Sequence, residues 1–316
     1  MKNKILMVLA FSLVLGGCSK KSDASLTRIR LGTGGTSGTY YTYGEAMGHI
    51  IQSTLNLPVT VLSTGASRAN IELVQGEQAE FALVQNDVMT YAYNGTNLFS
   101  TDGAFKNFSA VAALYPEACQ VVATPDLGDI GDLRGKRVSL GDQGSGTEFN
   151  AQQILESFGL SIADIKPQYL GFSASVDALK AGQIDAFFCT AGAPTPAILD
   201  LASSTQVKLL PVGDAHARLL ISAYPFYTQY TIPAGTYPGI NEDVPMVAVV
   251  ATLIVGNKVG ESAVYQLIKT LFENQPELAR AHGKGRDLTL KNAVEGIPVP
   301  FHPGAVKYFK EKGAIP

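Results

Sequence analysis

Short apolar runs alternate with segments of helical spacing along the first part of the chain. Residues 27–31 alternate as a strand does, and after a glycine-rich turn residues 39–51 have the apolar spacing of a helix. Residues 57–62 are β-branched and predict a second strand, the run 69–74 predicts a second helix, and residues 79–84 predict a third strand. This βαβαβ order predicts parallel strands with helices across their faces.

The same order begins again in the middle of the chain. A predicted strand at 137–140 leads through a glycine-rich turn at 141–146 into a helix, and the series ends with a strand at 186–190. The apolar run MVAVVATLIV at 246–255 is long enough to cross back to the first series. The pattern therefore predicts an α/β fold of two Rossmann-like lobes; the hinge between them is implied only by the family resemblance described below.

The length of the chain agrees with two units. A chain of 316 residues is too long for most single cores and fits two domains of ordinary size. We expect the first lobe to contain residues 27–117 and 251–316 and the second lobe to contain residues 118–250.

Glycine-rich turns at the predicted carboxyl ends of strands carry the candidate chemistry. The first is LGTGGTSGTYYTYG at 31–44, and the second lies within LGDQGSGT at 140–147. Glycine lets the backbone approach a ligand closely, and the helix that follows presents free N–H groups at its start. Each turn is therefore a candidate anion site, and the pair predicts one ligand held between two lobes.

The residues expected to bind that ligand lie on these turns and on other turns at strand ends. They are Gly38, Thr39, Tyr40, Ser67, Arg68, Asn70, Gln85 and Asp87 in the first lobe and Gly144, Ser145, Gly146, Thr147, Gly192, Ala193 and Pro194 in the second. Oriented N–H and hydroxyl donors can bind a carboxylate without a dedicated cation.

Several of these residues have a second interpretation that the sequence leaves open. Arg68 could bind a second carboxylate as a fork, or it could be a solvated arginine at a helix start. Ser67 and Asp87 could serve only as helix caps, and Tyr40 could pack in a helix face.

Composition and motifs argue against several other functions. The formal net charge of −3 gives no basic face for nucleic acid. A P-loop triplet and a Gly-x-Ser-x-Gly elbow are absent, and the dinucleotide fingerprint that starts at Gly32 has Ser37 in its last position. The four histidines lack metal spacing. We therefore expect no catalytic residue, metal or cofactor; an enzyme would need a converging titratable pair such as Asp87 with Glu148.

The first residues indicate export. Met1, Lys2 and Lys4 precede an apolar run at 5–15 that ends in Leu-Gly-Gly-Cys. This resembles a bacterial lipoprotein signal, with residues 1–18 ending at a lipidated Cys18 and residues 19–26 as a polar tether; an ordinary secretory signal is the alternative. We expect a membrane-anchored lipoprotein in the periplasm or at the cell surface.

Two cysteines remain in the mature chain. Cys119 and Cys189 lie in apolar runs that look like strands. A disulfide between them and two buried free thiols both stay open.

An ordered set of motifs carries a family resemblance across nearly the whole mature chain. The motifs are LGTGGTSGTYYTYG, ANIELVQGEQAEFALVQNDV, ALYPE at 113–117, LRGKRVSLGDQGSGT, DALKAGQIDAFFCTAGAP and HPGAVKYFKEKG. Together they resemble the TAXI-type solute-binding proteins of TRAP transporters.

The resemblance implies a type II periplasmic-binding-protein fold and a membrane permease driven by an ion gradient. It also implies a small organic acid or acidic amino acid as the ligand, with glutamate and 2-oxoglutarate as first candidates. We expect a monomer. A ligand-binding protein for a sensor kinase would share every one of these residues and stays an alternative.

Overall fold

The computed structural model describes residues 26–316. The predicted signal peptide, the lipidation site Cys18 and residues 19–25 of the tether lie outside the described residues, and these assignments stay predictions. Within the described part, no helix combines the length and the apolar character needed to cross a membrane.

The described part of the chain starts with three parallel strands, each followed by a helix. These elements are β1 (Ile29–Gly32), α1 (Thr39–Leu55), β2 (Val59–Leu62), α2 (Ser67–Gln75), β3 (Phe81–Gln85) and α3 (Asn86–Asn94). β1 lies between β2 and β3 and pairs with both in parallel. The helix α3 starts directly after β3, at Asn86, where the sequence predicted only a polar turn.

A long strand then leads to a second set of alternating strands and helices. The elements are β4 (Phe108–Ala123), β5 (Arg137–Ser139), α4 (Gly146–Ser157), β6 (Lys166–Gln168), α5 (Phe172–Lys180), β7 (Ala186–Ala191), α6 (Pro196–Ser204), β8 (Lys208–Leu209), α7 (Gly213–Ala223) and β9 (Thr228–Ile232). The chain closes with β10 (Val244–Gly256), α8 (Glu261–Glu273), α9 (Gln275–Ala281) and α10 (Pro303–Glu311).

Two long antiparallel strands connect the two halves of the sheet. The main strand order is β2-β1-β3-β10-β4-β7-β5-β6, with β8 beside β4 and β9 beside β10. β10 pairs with β9 over its first residues and with β3 over its last ones. β4 pairs with β10 as far as Ala118 and from there with β7. The sequence predicted two short strands between 111 and 124, whereas one uninterrupted strand spans both.

Buried apolar residues form separate cores on the two sides of this connection. One core takes its buried residues only from the stretch between Ala118 and Val249. Two others take theirs from Ile29 to Tyr115 and from Ala251 to Phe309. We call these sides the second lobe and the first lobe; the domain bounds given above stay a prediction. The mixed sheet covered by helices is the α/β architecture expected from the sequence.

The two cysteines are free and buried. Cys119 on β4 lies opposite Thr190 of β7, and the next pair along the ladder joins Gln120 to Cys189. Neighbouring pairs in a ladder point to opposite faces of the sheet, so the two thiols do not face each other.

Candidate functional site

A cavity of about 440 Å³ lies between the two lobes. Its walls come from the loops after β1, β2, β5 and β6, from the ends of β3 and β7, and from one residue of β4. In open α/β sheets, ligands bind beyond the carboxyl ends of the strands, and this cavity has that position in both lobes at once.

Helix starts surround the cavity. The N-cap residues of α1, α2 and α5 are Gly38, Ala66 and Gly171, and none of them caps its helix with a side chain. All three line the cavity. The first N–H groups of these helices therefore lack a side-chain acceptor, and the helix dipoles place partial positive charge at the cavity wall. The start of α5 was not among the predicted anion sites.

The turn before α4 is arranged differently. The hydroxyl of Ser145 accepts a hydrogen bond from the backbone N–H of Glu148 at 3.2 Å and so caps α4. The carboxylate of Glu148 accepts one from the N–H of Gly144 at 2.5 Å. Two donors of the predicted second anion site are therefore already bound within the turn, and the Ser145 hydroxyl hydrogen stays available to a ligand.

About half of the predicted binding residues line the cavity. These are Gly38, Thr39, Tyr40, Gln85, Ser145, Gly146 and Thr147. The others, which do not line it, are Ser67, Arg68, Asn70, Asp87, Gly144, Gly192, Ala193 and Pro194.

Ser67 and Asn70 support the cavity from behind. The Ser67 hydroxyl accepts a 3.0 Å hydrogen bond from the backbone N–H of Gln85. The Asn70 amide donates to the carbonyl oxygens of Thr33 and Leu83, at 2.5 and 2.7 Å. Both side chains are fully buried, so they hold the loop after β1 and the end of β3 in position.

Arg68 is turned away from the cavity. Its guanidinium forms ion pairs with Glu72 at 2.9 Å and with Asp102 at 3.0 Å. It also lies 4.9 Å above the ring of Phe99. Of the two interpretations that the sequence left open, the structure therefore favours an arginine bound near a helix start, because its donors already have partners.

Asp87 belongs to a buried polar cluster between the lobes. Asn150 of α4 donates to the Asp87 carboxylate at 2.9 Å and accepts from the Gln85 amide at 2.6 Å. Burial raises the pKa of Asp87 to about 6, against the lowering effect of its hydrogen bonds from Asn150 and from the backbone N–H of Val88. Glu148, the other member of the acid pair considered above, does not line the cavity either.

A second set of hydrogen bonds joins the lobes at Ser37 and Thr39, which line the cavity. The Thr39 hydroxyl donates to the carbonyl oxygen of Gly192 at 2.7 Å, and the Ala197 N–H donates to the Ser37 carbonyl at 3.1 Å. Gly192 precedes the cis peptide bond between Ala193 and Pro194. The loop after β7 therefore contacts the other lobe.

Glu117 is a cavity residue that the sequence analysis did not select. It lies on β4 and is only 2% exposed. Tyr40 donates a 2.8 Å hydrogen bond to its carboxylate. Desolvation raises the pKa of Glu117 well above its ordinary value, an effect opposed by the Tyr40 hydrogen bond and reinforced by the charge of Asp87. The sequence did contain a signal for this residue, because acidic side chains are rarely fully buried and an acidic residue within an apolar strand is therefore unusual.

The charge of the wall is one-sided. Among residues 26–316, the side chains that line the cavity include the carboxyl groups of Glu117 and Asp142 and no lysine, arginine or histidine. In the same range, no three His, Cys, Asp or Glu side chains are grouped as a metal site. Positive potential at the wall therefore comes from backbone N–H groups.

Two α/β lobes, two crossing strands and a cavity at the strand ends define a periplasmic-binding-protein-like fold of type II. Solved structures of binding proteins share it. PhnD1 from Prochlorococcus marinus, solved with methylphosphonate, has a TM-score of 0.55 at 11% identity, and the match covers 92% of this chain and 99% of that one. The periplasmic aliphatic sulphonate binding protein SsuA from Escherichia coli has a TM-score of 0.53 at 12% identity, with coverages of 92% and 84%.

A related structure, the alkanesulfonate-binding protein SsuA from Xanthomonas axonopodis pv. citri bound to MOPS, matches with a TM-score of 0.52 at 17% identity and covers 93% of this chain and 81% of that one. At these identities the likeness concerns the fold. The sequence itself matches a family: residues 31–313 fit the NMT1-like family, and the chain belongs to it.

Proposed function

We propose that this protein is an extracytoplasmic solute-binding protein that captures a small carboxylate in the interlobe cavity without changing it chemically. The observation that carries the proposal is the cavity wall, where uncapped helix starts from both lobes meet around one space and no cationic side chain is present among the described lining residues. Glutamate and 2-oxoglutarate are the first candidates, because the sequence motifs resemble those of TAXI-type proteins.

The geometry supports a closing mechanism. Donors at the start of α1 belong to the first lobe, and donors at the starts of α4 and α5 belong to the second. A carboxylate that binds both sets is fully bound only when the lobes are together, so the ligand shifts the population toward the closed form. A membrane partner can recognise that form.

For the partner, we propose an ion-gradient-driven TRAP permease, with the protein held at the membrane through a lipid on Cys18. The ordered sequence motifs and the Leu-Gly-Gly-Cys signal support this part of the proposal. Ligand-loaded protein crosslinked to native membranes should capture a permease. A captured sensor kinase would contradict this part and leave the binding function intact.

The binding function is tested with a thermal-shift screen of the mature chain from Ser19 onward. The screen contains organic acids, amino acids, sugars, sulfonates and phosphonates, with calorimetry on each hit. Because a ligand that binds only the folded state raises the melting temperature by mass action, a carboxylate should give the largest shift. A response to another class, with none to any carboxylate, would overturn the proposal.

A further inference from the structure

Glu117 is placed where it can contact a bound ligand. It lies on β4 at the crossing between the lobes, opposite Val249 of β10. It lines the cavity, although only 2% of its surface is exposed. A side chain with this burial and this position is packed among protein atoms and still borders the cavity.

The protein supplies Glu117 with few partners of its own. Among the described residues, the hydrogen bond that the structure gives it comes from Tyr40, to Oε2. The charge of Lys284 lowers the pKa of Glu117, but the Lys284 ammonium lies 3.6 Å from Asp287 and is not part of the cavity wall. A buried carboxylate is costly without a charged or hydrogen-bonding partner. Glu117 therefore lacks a full complement of donors until a ligand supplies one.

The helix starts in the wall have the opposite preference. The uncapped starts of α1, α2 and α5 offer N–H donors and partial positive charge, which favour a carboxylate. The helix starts thus favour a negative group. A positive group beside Glu117 offsets the burial that raises its pKa and so stabilises the carboxylate. A zwitterion satisfies both at once, whereas a plain acid leaves Glu117 without a charged partner.

We propose that Glu117, oriented by Tyr40, recognises an ammonium group on the ligand and so makes the site selective for an amino acid over the oxo acid or unsubstituted acid with the same carbon skeleton. This inference rests on the proposed function and deepens it, because it names the class of carboxylate. Tyr40 acts as a positioning residue for the Glu117 carboxylate.

The test measures calorimetric affinities of the mature chain for L-glutamate, 2-oxoglutarate and glutarate, which share one carbon skeleton, and for the pair alanine and pyruvate. The wild type should bind the amino acid of a pair at least tenfold more tightly than the oxo acid. Glu117→Gln keeps an acceptor for Tyr40. Its affinity should fall at least thirtyfold for the amino acid and less than threefold for the oxo acid.

Glu156→Gln is the matched control, because it makes the same change at an exposed residue of α4 that does not line the cavity. It should change both affinities by less than threefold. Thermal unfolding of each variant checks that it folds.

Three results would contradict the inference, and they differ in whether the proposed function is contradicted as well. An equal loss for both ligands in Glu117→Gln, or tighter binding of the oxo acid by the wild type, overturns the role of Glu117 and leaves a carboxylate-binding protein. If no carboxylate binds, both the proposed function and the role of Glu117 are overturned.

Discussion

The side-chain amide of Gln85 donates a hydrogen bond of 2.6 Å to Oδ1 of Asn150 and so joins the first lobe to the second. Asn150 in turn donates to Asp87 and to the hydroxyl of Tyr227, each at 2.9 Å. All four side chains are buried. One asparagine therefore satisfies polar groups of both lobes, and it does so only when the lobes are closed.

Asn150→Ala should weaken ligand binding. The substitution leaves Gln85 and Asp87 without their partner in the closed form, at a cost of about 2 kcal/mol, or roughly thirtyfold in the dissociation constant. Calorimetry with the best ligand from the screen measures it. Gln152→Ala is the control, because Gln152 lies on the same helix and donates only to Glu148 of that helix. Equal affinities of wild type and Asn150→Ala would show that the cluster does not contribute to closure.

Gly146→Ala should hinder closure by steric overlap. A Cβ at this position would lie 1.7 Å from Oε1 of Gln85 in the other lobe and 3.0 Å from a methyl carbon of Val88. The overlap is relieved when the lobes separate or when Gln85 gives up its hydrogen bond to Asn150. Either change weakens the closed form, so we expect affinity to fall by roughly tenfold or more. X-ray scattering should report a larger radius of gyration for the variant with ligand.

The control for this prediction is Gly283→Ala, where an added Cβ meets no atom within 4 Å. It should match the wild type in affinity and in radius of gyration. Ligand-bound Gly146→Ala that is as compact as the wild type would contradict the steric argument.

The titration of Asp87 should appear in the pH dependence of stability. Its pKa is about 6 in the folded protein because of burial, above its ordinary value of 3.8. Between these values the folded state binds more protons than the unfolded state, so the contribution of Asp87 to stability falls as the pH rises from about 4 to about 6. It is constant outside this window, and the total change is on the order of 3 kcal/mol.

Urea unfolding of the wild type and Asp87→Asn at several pH values measures this contribution as the difference between the two unfolding free energies. Between pH 4 and pH 6, the unfolding free energy of Asp87→Asn should rise relative to that of the wild type. From pH 7 to pH 8 the difference should stay constant. Parallel curves over the whole range would show that Asp87 does not titrate as the structure indicates.

Arg68→Ala should leave ligand selectivity unchanged and lower stability slightly. Arg68 does not line the cavity, and its partners Glu72, Asp102 and Phe99 belong to its own lobe. We expect affinities for glutarate and for the monocarboxylate butyrate to change by less than threefold, and the free energy of unfolding to fall by about 1 kcal/mol. A loss of affinity for glutarate alone would contradict this prediction and indicate that Arg68 contacts the ligand.

The sequence was sufficient to predict the alternating elements and the edge of the sheet where the cavity lies. Apolar periodicity identifies strands and helices, and parallel strands bring their carboxyl ends together whatever the details of packing. The turns at Gly38 and Ser145 could therefore be assigned to one cavity, although they are more than 100 residues apart.

Side-chain direction could not be predicted in the same way. Arg68 turns toward Asp102, a residue 34 positions away whose place depends on the loop after α3. Asp87 and Asn150 meet only because the lobes close. Glu117 reaches the cavity because β4 runs on through both lobes, while local patterns suggested a break in that strand. Each of these outcomes depends on tertiary packing.

The position of β10 in the sheet also sets an order of assembly. β10 lies between β3 and β4, yet the ribosome makes it last of the three, after β5 to β9 of the second lobe. Both lobes wait for this strand, because Val247 and Val249 belong to the core of the second lobe and Ala251 and Leu253 to that of the first. A nascent chain cut short after Ile232 would leave β3 and β4 with no strand to join them.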